Sequence, residues 1–413
     1  MVQTKNRMIS KIFPIFLIFI ALGEIYTCHL LYKYTKKRSV IFAYLLLLAT
    51  IIISLVLYYK GIDKSVGQTS ESMHIMALIL LFLLPKLLIS IPLFFEDIYR
   101  FTRWSSHKFI YKKLVKNTRS QLLTRIVLSA ATLFAVTIIY GVIVGKYNFK
   151  VREETIVFND LPDAFDGLKI LQISDLHVGS WDNKSAIEKG IEMINKQDFD
   201  LLLFTGDFVN TLATEADPWI ETLQKIKTPK YGKYAVLGNH DYGEYVKWNT
   251  EKDKENNFIS IKNNIEKSGF QLLLNENVVI KNSNDSIYLL GVENWGVNFK
   301  KAGDLKETSK NVPLHAFKIV MTHDPSHWDA EIVNHQQKYQ LTLSGHTHGM
   351  QFGFNIPKLI EWSPAEYIYP EWGGLYQKGS QYIYVNRGFG FHAYSGRIGI
   401  WPEITVLHLK KSK

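Results

Sequence analysis

The chain of 413 residues has one cysteine, Cys28, so an intrachain disulfide is excluded and either redox compartment is open to it. Acidic residues are scarce in one part only. Up to residue 150 there are five (Glu24, Asp63, Glu71, Glu96 and Asp97) against 20 Lys and Arg, whereas the remaining 263 residues carry 33 acids against 28 bases. The formal charge of +10 therefore describes neither part. A basic surface for nucleic acid is excluded on the same ground, because the excess of bases sits in the hydrophobic part; no nucleic-acid partner is expected.

What the basic part has is long apolar runs, at 9–31, 40–59, 73–95 and 126–144. About 20 apolar residues cross the hydrocarbon layer, so residues 1–150 read as an all-α transmembrane region of about four spans and the lipid bilayer as its partner. The first run is long and lacks a small-residue cleavage pattern, which favours an anchor over a signal peptide. It carries Glu24, and the third carries Lys86 between Pro85 and Pro92. Charges at such depth are costly, so these two pair, snorkel or serve function. Loops on one side hold Lys33, Lys36, Lys37 and Arg38, then Arg100, Arg103, Lys108, Lys112, Lys113, Lys116 and Arg119; the other side has Lys5, Arg7, Lys11, Lys60 and Lys64. The positive-inside bias predicts a multi-pass protein of the plasma (inner) membrane with residues 151–413 outside the cytoplasm. The stretch "YRFTRWSSHKFIYKKLVK" (99–116) interleaves aromatics with bases and is expected along the anionic inner surface.

Residues 151–413 change character. "LKILQIS" (168–174) and "FDLLLFT" (199–205) read as buried strands around an amphipathic helix at 186–196, a βαβ unit. "YAVLG", "SIYLLGV", "FKIVMTH", "YQLTLSG" and "QYIYVNRG" are further apolar runs ending in polar residues. Ligands of open α/β sheets gather at the carboxyl ends of strands. Those ends hold Asp175 and His177 ("SDLH"), Asp207 ("TGDF"), Asn239, His240 and Asp241 ("LGNHD"), His323 ("IVMTH"), and His346 and His348 ("SGHTHG"). Singly, each is a helix cap, a turn or a satisfied imidazole. Together, carboxylates, imidazoles and an amide oxygen form a donor set for divalent ions of intermediate hardness, Mn, Fe or Zn.

In this order the blocks resemble the five signatures of the calcineurin-like metallophosphoesterases, over about 168–408, and "YIYVNRGFG" with "RIGIWPEITVLHL" resembles the C-terminal block of their bacterial, membrane-associated branch. The resemblance implies an α/β (α+β sandwich) fold of four layers, two facing mixed β-sheets flanked by helices, spanning 151–413. It implies two divalent metals: Asp175, His177 and His348 on the first, Asn239, His323 and His346 on the second, and Asp207 bridging. His240, beside Asn239 on an irregular turn, is expected to protonate the leaving alkoxide, with Asp241 orienting it or raising its pKa. Met350 stands where the family commonly has Gly after "GHTHG" and would reshape a pocket wall.

Arg387 and Arg397 flank "GFGFHAYSG"; each either binds a substrate phosphate or supports the loop, and His392 within it is a candidate substrate contact. The glycines around His346 and His348 are expected to keep bulk away from metal and substrate. The reading is a membrane-anchored, metal-dependent phosphohydrolase that cleaves a phosphodiester or pyrophosphate bond in a lipid-linked or cell-envelope substrate. The alternatives are a phosphomonoesterase or nucleotide phosphatase, and a non-catalytic scaffold that keeps the fold.

Overall fold

The computed structural model describes residues 2–61, 66–112, 117–297, 299–356 and 360–413, with side chains from residue 18 onward except residue 59. Asp63, Lys64, Lys113 and Lys116 of the charge argument lie outside the described residues, as do the side chains of Lys5, Arg7 and Lys11. The chain forms two compact units. One takes in Met1–Ile62 and Ile75–Tyr140, and the other Asp63–His74 and Gly141–Lys413.

The first unit is built from four helices: α1 (Val2–Thr35), α2 (Arg38–Gly61), α3 (Ser70–Phe109) and α4 (Gln121–Ile143). Among the described residues, three helical segments are long and apolar enough to cross a membrane: Arg38–Tyr58, Ser70–Phe109 and Gln121–Tyr147. α3 runs unbroken through Pro85 and Pro92 for 40 residues, about 60 Å at 1.5 Å per residue. It also takes in residues 99–109 of the aromatic and basic stretch as a continuation of the helix. Lys86 donates to Glu24, and Tyr44 gives the same carboxylate a second bond. Of the three options for these charges, the helices realise pairing, which removes the cost of an isolated ion.

The second unit is a sandwich. In chain order its strands are β1 (Lys150–Phe158), β2 (Lys169–Ile173), β3 (Leu201–Phe204), β4 (Lys233–Ala235), β5 (Gln271–Leu272), β6 (Glu276–Asn282), β7 (Asp285–Gly291), β8 (Phe317–Met321), β9 (Leu341–Ser344), β10 (Phe354–Ile356), β11 (Ile360–Trp362), β12 (Gly374–Lys378), β13 (Gln381–Val385) and β14 (Glu403–Lys411). Its helices are α5 (Lys184–Lys196), α6 (Ile220–Gln224), α7 (Glu251–Lys267) and α8 (Leu305–Thr308). One six-stranded sheet has the order β1-β14-β2-β3-β4-β5, the other β12-β13-β9-β8-β7-β6; β10 and β11 form a separate hairpin.

Alternation along the strands divides the core. Ile170, Leu201 and Leu203 of the first sheet meet Ile287, Leu289, Ile319, Met321, Leu341 and Leu343 of the second between the sheets. Their neighbours Leu171, Ile173, Leu202 and Phe204 point the other way, onto Ile187, Ile191 and Ile194 of α5 and Ile261 and Ile265 of α7. A period of two sends successive side chains to opposite faces, and with both faces covered the strands read as unbroken apolar runs. β2, β3 and β4 are mutually parallel, as are β7, β8, β9 and β13, so the carboxyl ends of each set gather on one edge of its sheet.

Candidate metal centre

The loops leaving those strand ends bring six of the seven expected ligands together in two groups. Asp175, His177 and His348 place ligand atoms within 4.8 Å of one another, and so do Asp207, His323 and His346. Asp207 lies between them, its Oδ2 being 3.5 Å from His177 Nε2 and 3.1 Å from His323 Nε2. Nε2 of His177 and of His348 face each other at 3.1 Å, and His348 Nε2 is 3.2 Å from Asp175 Oδ1. In the other group, His346 Nδ1 is 3.2 Å from His323 Nε2. The Oδ1 of Asn239 is buried with no hydrogen-bond partner among the described residues, while its Nδ2 donates to Tyr245 Oη at 2.6 Å. Converging imidazole lone pairs, two carboxylates and an orphaned amide oxygen fit divalent ions of intermediate hardness.

The backbone here is unusual. Asp175, His177, Asp207, His346 and His348 all have φ between 45° and 73°, the left-handed region that side chains rarely adopt. Strain of this kind persists only where surroundings over-determine it, and it clusters at functional sites. Hydrogen bonds supply the constraint: Asp175 accepts from His346 N–H at 3.0 and 3.1 Å, and Asp207 Oδ1 accepts from His240 N–H at 2.9 Å.

Glycine acts at two points. A Cβ on Gly345 would stand 1.9 Å from Ser174 Oγ and 2.4 Å from Asp175 Oδ2, and one on Gly238 would stand 2.2 Å from Asp207 Oδ1. Gly349 differs from expectation: its added carbon would meet Trp372 and Ile400, so it serves packing behind the site.

Each ligand ring is held from behind. Asn210 Oδ1 accepts from His177 Nδ1 at 3.1 Å, and the Asn210 carbonyl accepts from His240 Nδ1 at 2.8 Å, which turns both Nε2 atoms outward. Tyr369 Oη is 2.9 Å from His346 Nε2, and Asp324 Oδ2 is 3.6 Å from it. Nothing in the sequence marks Tyr369 or Asp324, and the one signal for Asn210 is its place three residues after Asp207.

Asp241 takes a different role from the one expected. Its carboxylate accepts from the backbone N–H groups of Asp207 (3.1 Å), Phe208 (2.9 Å), Val209 (3.2 Å) and Gly238 (2.9 Å), so it braces the Asp207 loop and leaves His240 to Asn210. Burial, with Asp207 nearby, pushes its carboxyl up to about 7. His240 stacks on Tyr245, with centroids 4.4 Å apart, and burial lowers its pKa against the opposing pull of Asp207.

His392 lies among these groups, stacked on His177 at 4.7 Å and edge-on to His240 at 4.3 Å. The two arginines are engaged elsewhere. Arg387 pairs with Glu403 at 2.7 Å. Arg397 donates to the carbonyls of Gly390, Arg387 and Gly388 and approaches His348 Nδ1 at 3.1 Å. Both are buried, and of their two expected roles this placement matches loop support.

Residues 168–350 match the family described as calcineurin-like phosphoesterase, and residues 6–146 match the transmembrane domain of a probable calcineurin-like phosphoesterase. The chain is 30% identical over 276 residues to an uncharacterised metallophosphoesterase of Bacillus subtilis, YkuE, covering 66% of this chain and 90% of that one. It is 25% identical over 292 residues to a transmembrane protein with metallophosphoesterase domain from Danio rerio, covering 68% and 62%. It is also 27% identical over 283 residues to the UDP-2,3-diacylglucosamine pyrophosphatase LpxG of Chlamydia trachomatis, covering 56% and 81%. With its apolar helices and clustered candidate metal-ligand residues, the chain belongs to the calcineurin-like metallophosphoesterases, as a membrane-associated phosphoesterase.

Proposed function

We propose that the protein hydrolyses a phosphodiester or pyrophosphate bond in a lipid-linked or cell-envelope substrate, using two divalent ions held by Asp175, His177 and His348 and by Asn239, His323 and His346, with Asp207 shared. The observation that carries this reading is the pair of ligand groups with Asp207 Oδ2 within 3.5 Å of a ring nitrogen in each. When bound, such ions polarise the phosphoryl oxygens and acidify a water. The chain's own contribution is orientation and a proton. As the imidazolium, which the charge of Asp207 favours, His240 donates at Nδ1 to the Asn210 carbonyl and gives its Nε2 proton to the leaving oxygen.

The likeness to the chlamydial UDP-2,3-diacylglucosamine pyrophosphatase supports a pyrophosphate-linked glycolipid as the substrate class. Membrane helices in the same chain raise the effective concentration of such a substrate, a gain that a soluble nucleotide does not need. In this reading the charge bias of the loops sets the catalytic unit outside the cytoplasm of the plasma membrane.

The test is hydrolysis by the full chain in detergent, stripped of metal and reloaded with manganese, on bis-p-nitrophenyl phosphate beside p-nitrophenyl phosphate. Metal-dependent turnover favouring the diester, lost in Asp207→Asn, is expected. His240→Asn should slow esters with poor leaving groups most while keeping its metal. Preference for the monoester would make the protein a phosphatase, and no turnover with metal bound would make it a scaffold.

A further inference from the structure

Residues 67–74 join α2 to the first turn of α3, yet they belong to the same unit as the metal centre. Gly67 has a φ of 72°, and a Cβ there would stand 2.9 Å from Thr211 Oγ1 and from Val246 Cγ1, so the backbone approaches the loop after β3 more closely than a side chain allows. The carbonyl of Gln68 accepts from Asn210 Nδ2 at 3.3 Å, the same amide whose oxygen holds His177.

The Gln68 side chain grips one residue at both ends. Its Nε2 donates to the Ala393 carbonyl at 2.9 Å, and its Oε1 accepts from Ala393 N–H at 3.2 Å. Ala393 has a φ of 65°, a conformation that an alanine does not favour unaided. Two residues on, Ser395 N–H donates to the carbonyl of Met73, whose side chain is fully buried. The opposite support of this loop is Gln351, which accepts from His392 N–H at 2.5 Å and donates to the carbonyls of Tyr394 and Gly396 at 3.2 and 2.9 Å.

The gripped loop forms one wall of a cavity of about 240 Å³, lined by His392, Ala393 and Tyr394 on one side and by His346, His348 and Met350 on the other. Metal-ligand residues thus open directly onto a wall whose position depends on a residue some 140 positions before the first of the loops that Gln68 touches.

We infer that Gln68 is a positioning residue for substrate: from the connection between two membrane helices it fixes the 392–394 wall of the cavity beside His346 and His348, where the part of the phosphoester that does not react is seated. This rests on the phosphohydrolase reading above. His392 of the wall packs on His177 and His240, whereas Ala393, the residue that Gln68 grips, lines the cavity, so its displacement acts on binding and appears in KM more than in kcat.

The experiment uses the full chain in detergent, loaded with manganese, with bis-p-nitrophenyl phosphate as the probe. Gln68→Ala and Gln68→Met should each raise KM about 3- to 10-fold, the loss of one or two hydrogen bonds. Both should leave kcat within about twofold, because the reacting groups stay in place. Bound metal and the thermal midpoint are unchanged, and amide exchange across residues 391–395 is faster than in the parent. Methionine keeps the length and loses the bonds, so a Gln68→Met protein equal to the parent would overturn the proposal, as would unchanged exchange in Gln68→Ala. Loss of metal or a lowered thermal midpoint would overturn it too, by making Gln68 a brace of the fold. If the parent itself hydrolyses neither ester, the phosphohydrolase reading fails, and exchange at 391–395 alone decides for or against the grip.

Discussion

Replacing Asn210 with alanine removes one amide that serves three neighbours. Its oxygen accepts from His177 Nδ1 and from Ser180 Oγ, each at 3.1 Å, and its nitrogen donates to the Gln68 carbonyl at 3.3 Å. His177 is 1% exposed, so no water replaces the lost acceptor, and a buried donor left unpaired costs about 1 to 3 kcal/mol. The loss falls on the metal-competent state, in which Nδ1 must carry the proton so that Nε2 offers a lone pair.

At 1.4 kcal/mol per factor of ten, manganese affinity at the His177 group falls about 10- to 100-fold. The main-chain bond from Asn210 to His240 survives the substitution, so excess manganese restores most of the activity. Asn210→Asp keeps an acceptor for His177 and should hold the metal within a few-fold of the parent. The assay is a manganese titration by calorimetry, with turnover measured at each metal concentration. An Asn210→Ala protein that binds within twofold of the parent, or an Asn210→Asp protein that loses as much as Asn210→Ala, would refute the reasoning.

Two further outcomes are expected. Gly345→Ala drives a carbon to 2.4 Å from Asp175 Oδ2 and should lower metal affinity at least about tenfold, whereas Gly349→Ala, which strikes Trp372 and Ile400, should lower the thermal midpoint with a smaller effect on metal; calorimetry and melting curves for the pair separate the two roles. Glu403 is fully buried, and burial alone would raise its carboxyl, but Arg387 and Arg152 beside it hold it below the ordinary range. A depressed folded pKa contributes stability above the unfolded value near 4.3, and that contribution is lost as pH falls through the folded value. Melting curves of the parent should therefore fall more steeply below about pH 4 than those of Glu403→Gln. That variant leaves Arg387 only the longer contact to Glu361, at 3.5 Å, and so costs up to about 3 to 5 kcal/mol at neutral pH. Equal acid slopes in the two proteins would remove Glu403 from the account.

Much of the molecule is legible in one dimension. The βαβ unit at 168–205 is visible because strands covered on both faces must be apolar throughout and the helix between them on one stripe only, which Leu171, Leu202 and Ile187 satisfy. The ligand residues stand out because His and Asp at strand ends, bordered by glycine, serve no packing purpose. The long apolar runs of the first 150 residues are equally plain, since nothing but lipid or a deep core accepts them.

What the sequence does not reveal is everything that depends on distant segments meeting. The left-handed backbone of five ligands has no signature in residue type, because Asp and His take it under constraint from partners up to 171 positions away, as His346 N–H does at Asp175. Neighbours in the chain mislead as well: Asp241 adjoins His240 yet bonds the Asp207 loop, while the carbonyl that holds His240 is 30 positions away. The same holds for Arg387, whose partner is Glu403. Residue type and strand-end position are enough to nominate candidate metal-ligand residues, because those depend on chemistry carried by each residue. Which groups aim and brace those ligands depends on which backbone and side-chain atoms come within 3 Å of one another, and only the packing of the two sheets and their loops decides that.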